Sequence, residues 1–223
     1  MIDGLTLERS VQAMASHLTT EIDVAPKLDA ASTWLCLLES MLSSQVRFEI
    51  AQVAAYRVHA VLFSHKCGDE QGLASLILEQ LTRPTSSGVR YRFPNMRAKQ
   101  VATTWLRLGG SQEELTKLVL SNTPEEKIRE QIIDKVSGFG MKQASMFLRD
   151  VGKANNLAII DRHVLSYVEA ISLTDTPANL THTQYRRIES VLREYAWFLG
   201  YPISIVDQAI WLIVRAIKAE AYK

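Results

Sequence analysis

The sequence predicts an all-α protein, and two observations support that prediction. Along nearly every periodic segment, apolar residues recur with the period of a helix, about 3.6 residues, rather than the two-residue period of a strand. Turn-forming residues separate these segments. The predicted helices cover residues 34–42, 50–63, 73–81, 98–108, 113–120, 125–136, 143–151, 162–170, 183–199 and 205–219.

The breaks between the predicted helices consist of residues that end helices or favour turns. Gly68 follows the second helix, the segment 83–94 follows the third, and Gly109-Gly110 follows the fourth. The remaining breaks lie at residues 122–124, 138–140, 152–156, 175–179 and 200–202. No repeat of about 20 to 50 residues is visible, which argues against a solenoid.

The overall charge gives no reason to expect a nucleic-acid partner, but the local charge does. The chain has 223 residues and a formal net charge of +1. No acidic residue lies between Leu81 and Gln112. The basic residues of this segment are Arg83, Arg90, Arg92, Arg97, Lys99 and Arg107.

Aromatic residues and a proline interleave with these arginines. Tyr91, Phe93 and Pro94 provide the mixture expected where a phosphate is gripped and a ring lies on a sugar or a base. The alternative is a solvated loop whose acidic partners come from elsewhere in the fold. The segment alone supports both interpretations equally.

Cysteine content and the N-terminal sequence predict a cytoplasmic protein. Only Cys36 and Cys67 are present, without a CxxC motif, which argues against a disulfide framework and a four-cysteine iron–sulfur cluster. His59, His65 and Cys67 match no zinc spacing, so we expect neither a metal nor a cofactor. We also expect no membrane association, since there is neither a signal peptide nor an apolar run of about 18 residues.

The stretch KVSGFGMK, residues 135–142, predicts a hairpin between two helices. Gly138 and Gly140 carry no side chains and permit positive φ, so a phosphate can approach the backbone N–H groups and the start of the next helix. Such a hairpin binds DNA without reading its sequence. A GxG between helices is also often no more than a tight turn.

Lys142 follows this hairpin directly, in the first turn of a predicted helix. The macrodipole disfavours an ammonium group at that end by a few tenths to roughly 1 kcal/mol. A lysine in this place suits nucleophilic chemistry, because only the free amine attacks carbon. For a lone lysine, however, the more common interpretation is a solvated surface residue.

Asp161, in the segment LAIIDRHVL, follows Lys142 by 19 residues. Its place before an apolar-periodic helix predicts an N-cap, and backbone N–H groups then stabilise the ionised carboxylate. An anionic carboxylate is also useful in breaking an N-glycosidic bond, because positive charge develops on the sugar. The capping role and the catalytic role are compatible.

The runs VSGFGMKQASMFL and LAIIDRHVL together resemble the helix-hairpin-helix and Gly/Pro-Asp superfamily of DNA glycosylases. Within it, the chain is most similar to the compact archaeal-type 8-oxoguanine DNA glycosylase/AP lyases. Their lysine is followed by an Ala-Ser-x-Phe-Leu-Arg helix and a Leu-Ala-Ile-x-Asp-x-His-x-Leu segment. The resemblance implies that Lys142 and Asp161 are the catalytic residues.

Other segments extend the resemblance to most of the chain. LSSQVRF places Gln45 where the superfamily fills the gap left by an extruded nucleotide, and VRYRFPNMRAKQVA resembles a segment that implies DNA contacts by Arg90, Arg92 and Arg97. Gly138 and Gly140 would hold phosphate in the hairpin. Gln45 can equally be an ordinary solvent-facing amide.

The C-terminal run SIVDQAIWLIVRAIKAEAYK resembles the family's last helix, which implies that Asp207, Trp211 and Lys223 contact the damaged base. Simpler explanations exist, because Asp207 follows Ser204 at capping-box spacing and Trp211 suits a packed aromatic. The resemblance favours the functional interpretation.

The resemblance also implies an architecture. It predicts a two-lobed helical DNA glycosylase fold with the helix-hairpin-helix, residues 128–151, at the cleft between the lobes. The central helical bundle would comprise residues 31–127, and the second lobe residues 1–30 plus 128–223.

The implied function is excision of 8-oxoguanine from double-stranded DNA through a lysine Schiff base, with AP lyase activity, by a monomer in the cytoplasm or nucleoid. The chain departs from the family pattern in two places. One additional residue around 153–156 lies in a loop and leaves the chemistry intact, whereas the longer 83–94 segment bears on the substrate. The alternatives are another modified base as substrate and a non-catalytic DNA-binding module.

Overall fold

A computed structural model describes residues 3–20, 29–64 and 69–220, and all regular structure in these ranges is helical. The all-α prediction is therefore confirmed. The eleven helices are α1 (Gly4–Thr20), α2 (Ala30–Leu42), α3 (Phe48–Ser64), α4 (Glu70–Thr82), α5 (Pro94–Arg107), α6 (Gln112–Leu120), α7 (Glu125–Lys135), α8 (Met141–Asp150), α9 (Arg162–Ala170), α10 (His182–Leu199) and α11 (Ile203–Glu220).

The first helix, α1, was not among the predicted helices. Its buried residues are only Leu7, Val11 and Ala15, which lie four residues apart and form a narrow stripe. Polar residues surround the stripe, so the helical period is weak in sequence. Packing against α11 buries that stripe in the fold.

Capping residues place several helix starts earlier than the apolar pattern predicts. Asp29 caps α2 by accepting a hydrogen bond from Ser32 N, and Asp69 caps α4 by accepting one from Gly72 N. Apolar residues first enter the core about one turn later, at Trp34 and Leu73. A pattern of apolar residues alone therefore misses the first turn.

The chain forms two compact units. One contains the described residues up to Thr20 and from Gly152 onward, and the other contains the described residues from Asp29 to Val151. The helix-hairpin-helix lies in the second of these units, whereas the sequence prediction put residues 128–151 in the other lobe. The physical reason is that α8 packs against α2 as well as against α7.

Each unit has its own core. In the first unit, α11 packs against α1, α9 and α10, and Tyr167 and Ile210 are fully buried there. In the second unit, Trp34 packs against Trp105 with ring centroids 4.9 Å apart, and its indole N–H donates to the carbonyl of Gln112 at 3.1 Å. These cores fix the helices that carry the site residues.

The described residues contain neither a cluster of metal-binding side chains nor a single helix that could span a membrane. No group of three His, Cys, Asp or Glu side chains in the ranges 3–20, 29–64 and 69–220 could hold a metal ion. Over the same ranges no single helix is long and apolar enough to span a membrane, and only His182–Leu199 and Ile203–Ala219 taken together, bent by 95°, meet that criterion.

Helix α10 begins with a capping box, and this cap gives a stability prediction. Thr181 accepts a hydrogen bond from Gln184 N, and the Gln184 side chain accepts one from Thr181 N at 2.9 Å. We expect Thr181→Ala to lower the free energy of unfolding by about 1 kcal/mol in urea titrations. Thr183→Ala, on the same exposed turn, is the matched control, and an equal loss there would contradict the capping assignment.

Candidate active site

The hairpin between α7 and α8 leaves the start of α8 without a side-chain cap. Gly138 has φ +83°, and Phe139, which is buried, anchors the turn. Gly140 is the N-cap residue of α8, in an extended conformation, with no side-chain hydrogen bond. Positive φ is thus used at Gly138 only, and the first N–H groups of α8 receive no capping side chain.

One face of α5 supports this hairpin from within the protein. The residues involved, Gln100, Thr104 and Arg107, lie one helical turn apart. Thr104 Oγ1 accepts a hydrogen bond from Ser137 N at 3.0 Å, and Arg107 Nη1 donates to the carbonyl of Asp134 at 3.1 Å. The Gln100 side chain occupies the space beside Gly138 that a Cβ would fill. The turn is therefore held in one conformation by α5.

Lys142 is the second residue of α8 and is exposed. Within the described part of the chain, it pairs with no carboxylate. Beneath it, the buried Arg129 of α7 donates from Nη1 to Ser145 Oγ of α8 at 3.0 Å, which ties the two helices together. The structure thus presents an accessible amine on a rigid hairpin, as the sequence predicts.

The basic segment before α5 divides into exposed and buried residues. Arg90 and Arg92 are exposed, and the Arg92 guanidinium lies 4.9 Å from the centre of the Phe93 ring. Arg97, by contrast, is 5% exposed, and Tyr91 is also buried. Burial argues against the predicted direct contact of Arg97 with DNA, and against the expectation that the Tyr91 ring lies on a sugar or a base.

Tyr91 instead supports the turn that carries Gln45. Its hydroxyl donates to the carbonyl of Leu42, the last residue of α2, at 2.8 Å. Burial raises the pKa of Tyr91 to about 12. Gln45 itself is exposed and has φ +59°. A left-handed conformation is unfavourable for a residue with a Cβ, so the fold imposes this conformation on Gln45.

Asp161 is the N-cap of α9, as predicted. Its Oδ1 accepts hydrogen bonds from His163 N at 2.7 Å and Val164 N at 3.0 Å. The other oxygen, Oδ2, accepts none from the residues that the structure describes. The side chain is half-buried. One carboxylate oxygen thus orients the group, and the other remains available for a ligand.

The four residues before Asp161, Leu157 to Ile160, are buried and lie outside any helix, and side chains accept hydrogen bonds from three of their N–H groups. Ala158 N donates to Glu189 Oε1 at 3.0 Å, and Ile160 N donates to the Tyr185 hydroxyl at 3.0 Å. Ile159 N donates to Asp207 Oδ2. These bonds replace those that a neighbouring strand would supply, and they fix the position of Asp161.

Asp207 is therefore a structural anchor whatever else it does. It is 1% exposed, and it does not form a capping box with Ser204, because α11 begins at Ile203. Glu189 and Tyr185 share its anchoring role and were not predicted. The helical periodicity of α10 could have indicated Glu189, because it places this acid beside Ile188 on the buried side of the helix. A buried acid needs a specific hydrogen-bond partner.

Trp211 lies between two side chains of its own unit. The Arg215 guanidinium is 4.7 Å from the centre of its ring, and the His163 ring meets it edge-on at 6.4 Å. Burial lowers the pKa of His163, and nearby cations lower it further against the opposing effect of the Asp161 carboxylate. Lys223, the third predicted base contact, lies outside the described residues.

Comparison with known proteins gives consistent matches. A family model described as 8-oxoguanine DNA glycosylase matches residues 41–201. A Saccharolobus islandicus protein named 8-oxoguanine DNA glycosylase/AP lyase is 35% identical over 136 residues, which is 60% of this chain and 64% of that protein. A Fusobacterium nucleatum protein of the same name is 34% identical over 54% of this chain and 56% of its own length.

A solved structure shares the fold. The Methanocaldococcus jannaschii 8-oxoguanine glycosylase/lyase in complex with a 15mer DNA containing 8-oxoguanine has a TM-score of 0.62 and 20% identity, and covers 92% of this chain and 87% of that one. The sequence alignment with the Saccharolobus relative spans less than two thirds of that relative's length.

The anchoring role of Asp207 predicts a stability defect. Asp207→Ala leaves the Ile159 N–H buried without an acceptor, which costs about 2 kcal/mol in the free energy of unfolding. Urea denaturation measures this loss. Gln208→Ala, the next residue on α11, is the control and should change stability by no more than about 0.5 kcal/mol. Equal stability of the two variants would show that Asp207 does not anchor the segment.

Proposed function

Because the chain belongs to the 8-oxoguanine DNA glycosylase family, we propose that it removes 8-oxoguanine from double-stranded DNA and then cleaves the strand at the abasic site. The observation that carries this proposal is the exposed, unpaired amine of Lys142 in the first turn of an uncapped hairpin helix. We propose that the protein acts as a monomer.

The first step is sequence-independent binding of the duplex. The N–H groups at the start of α8 and the glycines Gly138 and Gly140 would hold a backbone phosphate. Arg90 and Arg92, both exposed, would add further phosphate contacts. Gln45 would occupy the space left in the duplex when the damaged nucleotide is turned out, a step that costs a few kcal/mol.

Chemistry then proceeds through a covalent intermediate. The free amine of Lys142 attacks C1′ of the sugar, and the N-glycosidic bond breaks with its electron pair leaving on the base. The base takes up a proton as it departs. The lysine nitrogen carries two protons after the attack. It gives one to the departing base and the other to the ring oxygen as the sugar ring opens, which leaves an imine between Lys142 and C1′. Removal of a C2′ proton then expels the 3′ phosphate by β-elimination.

Asp161 has an electrostatic role in this scheme. Positive charge develops on the sugar as the base leaves, and a fixed carboxylate stabilises that charge. The capping bonds to Oδ1 orient the group, while Oδ2 remains free to face the sugar. This division of labour explains how one residue combines a structural and a catalytic role.

In our proposal, residues of the C-terminal helix α11 and the residues after it recognise the damaged base. Trp211 offers a ring for stacking against the lesion, and Lys223 a cation for its polar edge. Asp207 contributes as the anchor of the segment before Asp161, and its burial makes it a positioning residue rather than a surface contact. The longer 83–94 segment bears on which oxidised base is preferred.

Replacement of the nucleophile gives the sharpest test. Wild-type protein mixed with 8-oxoguanine duplex and sodium borohydride should form a covalent adduct, because borohydride reduces the imine. Lys142→Gln should form none and cut no strand, while its affinity for abasic-analogue duplex should change by less than about tenfold, the scale of one phosphate contact. Adducts are counted on denaturing gels.

Lys135→Gln is the matched control, because Lys135 lies in the last turn of α7 on the other side of the same hairpin. It should form adducts at the wild-type rate. Adduct formation by Lys142→Gln would refute the nucleophile assignment. A wild-type protein that binds duplex but forms no adduct with 8-oxoguanine, other oxidised bases or abasic DNA would be a binding module.

Removal of the charge from Asp161 separates its two roles. Asparagine also caps helices, so Asp161→Asn should leave the free energy of unfolding within about 0.5 kcal/mol of wild type. Release of 8-oxoguanine should slow about 100-fold, the scale observed when a preorganised electrostatic group is lost. The rate is measured as base release in a single turnover. An unchanged rate would show that Asp161 caps α9 and has no catalytic role.

A further inference from the structure

We propose that Gln100 is a phosphate-binding residue of the hairpin and that buried Arg97 positions it. This inference rests on the proposed function, since it concerns the phosphate that the hairpin would hold. The sequence pattern suggested Arg97 as a direct contact and gave Gln100 no role. The structure exchanges these roles, because Arg97 is 5% exposed and Gln100 is half-buried beside the exposed Gly138.

The orientation of the Gln100 amide follows from its partner. Arg97 Nη1 donates to Gln100 Oε1 at 2.8 Å. A guanidinium has only donors, so the amide oxygen must face Arg97 and the amide nitrogen must face away from it. That nitrogen lies beside Gly138: a Cβ added there would be 2.8 Å from Gln100 Cδ and closer still to Nε2. Arg97 thus fixes two N–H donors beside the hairpin.

These donors lack an acceptor in the protein. Among the residues that the structure describes, Gln100 Nε2 donates no hydrogen bond. An anion at the hairpin would give this amide nitrogen an acceptor. The backbone N–H groups at the start of α8 lack a capping side chain at the same hairpin. Both sets of donors therefore suit one phosphate.

The charge of Arg97 supports the same ligand. In the described ranges no carboxylate pairs with its guanidinium, and its Nε is buried without a hydrogen-bond partner. A buried cation without an anion is costly to the folded protein. A phosphate bound to the Gln100 amide nitrogen would place a negative charge on the opposite side of the amide from Arg97. The Arg97 cation in turn polarises the amide and makes its N–H groups stronger hydrogen-bond donors.

Gln100→Glu provides the discriminating test. The new carboxylate pairs with Arg97, so the melting temperature should equal or exceed that of wild type. The same change removes the donors and presents negative charge to the phosphate, so affinity for an undamaged duplex should fall at least about 30-fold. Fluorescence anisotropy measures the affinity, and calorimetry measures the melting temperature.

Two further variants complete the experiment. Gln100→Met keeps the length of the side chain and loses only the donors, so affinity should fall about tenfold. Gln71→Glu makes the same charge change at an exposed position of α4, and its affinity should stay within about threefold of wild type. If Gln100→Glu binds as tightly as Gln71→Glu, the proposal is wrong. If both Gln100 variants lose melting temperature together with DNA affinity, the proposal is also wrong, because Gln100 then only supports the structure of the hairpin.

Failure of this inference is distinguishable from failure of the proposed function. The binding assay uses duplex without a lesion and needs no catalysis. If affinities follow the predicted order while wild-type protein releases no base, the Gln100 assignment stands and the glycosylase proposal fails. If wild-type protein releases 8-oxoguanine and the Gln100 variants bind normally, only the Gln100 assignment fails.

Discussion

The hairpin at Gly138 meets two requirements at once. Side chains of α5 contact its inner side, and the N–H groups at the start of α8 are left without a capping side chain. The face of α5 defined by Gln100, Thr104 and Arg107 supplies the inner contacts. A side chain at position 138 would collide with Gln100 and would also disfavour φ +83°. Glycine there meets a steric and a conformational requirement at once, and the outward N–H groups of α8 stay uncapped.

The first unit solves a related problem in a different way. The segment before Asp161 is buried without belonging to a helix or pairing with a strand, so its N–H groups need acceptors from side chains. Glu189 and Asp207 are buried for this purpose, and Tyr185 both accepts from Ile160 N and donates to the carbonyl of Ala158 at 2.7 Å. Rigid placement of Asp161 therefore depends on three polar side chains contributed by α10 and α11. These three side chains act together with the cap of α9 to hold the Asp161 carboxylate in place.

Sequence reasoning predicted ten of the helices, the hairpin and the Asp161 cap, because each of these depends on local patterns. It missed α1, whose apolar stripe is too narrow to recognise before its partner α11 is known. It also placed Arg97 and Tyr91 at the surface. Basic side chains are usually solvated and tyrosines are intermediate, so the burial of these two depends on tertiary contacts that local sequence does not reveal. The same limit applies to Asp207, whose acceptor role depends on a segment 48 residues earlier in the chain.

Gln45 occupies a position whose backbone conformation favours glycine. Glycine occupies six positions of positive φ in the described ranges, while Gln45 and Ser172 are the only other residues with that conformation there. A left-handed conformation costs a residue with a Cβ about 1 to 2 kcal/mol relative to glycine. Gln45 is exposed, so its side chain returns little of that cost through burial. Glycine would relieve this strain. Under the proposed function, the Gln45 amide offsets the cost by binding the unpaired polar groups in the gap of a duplex.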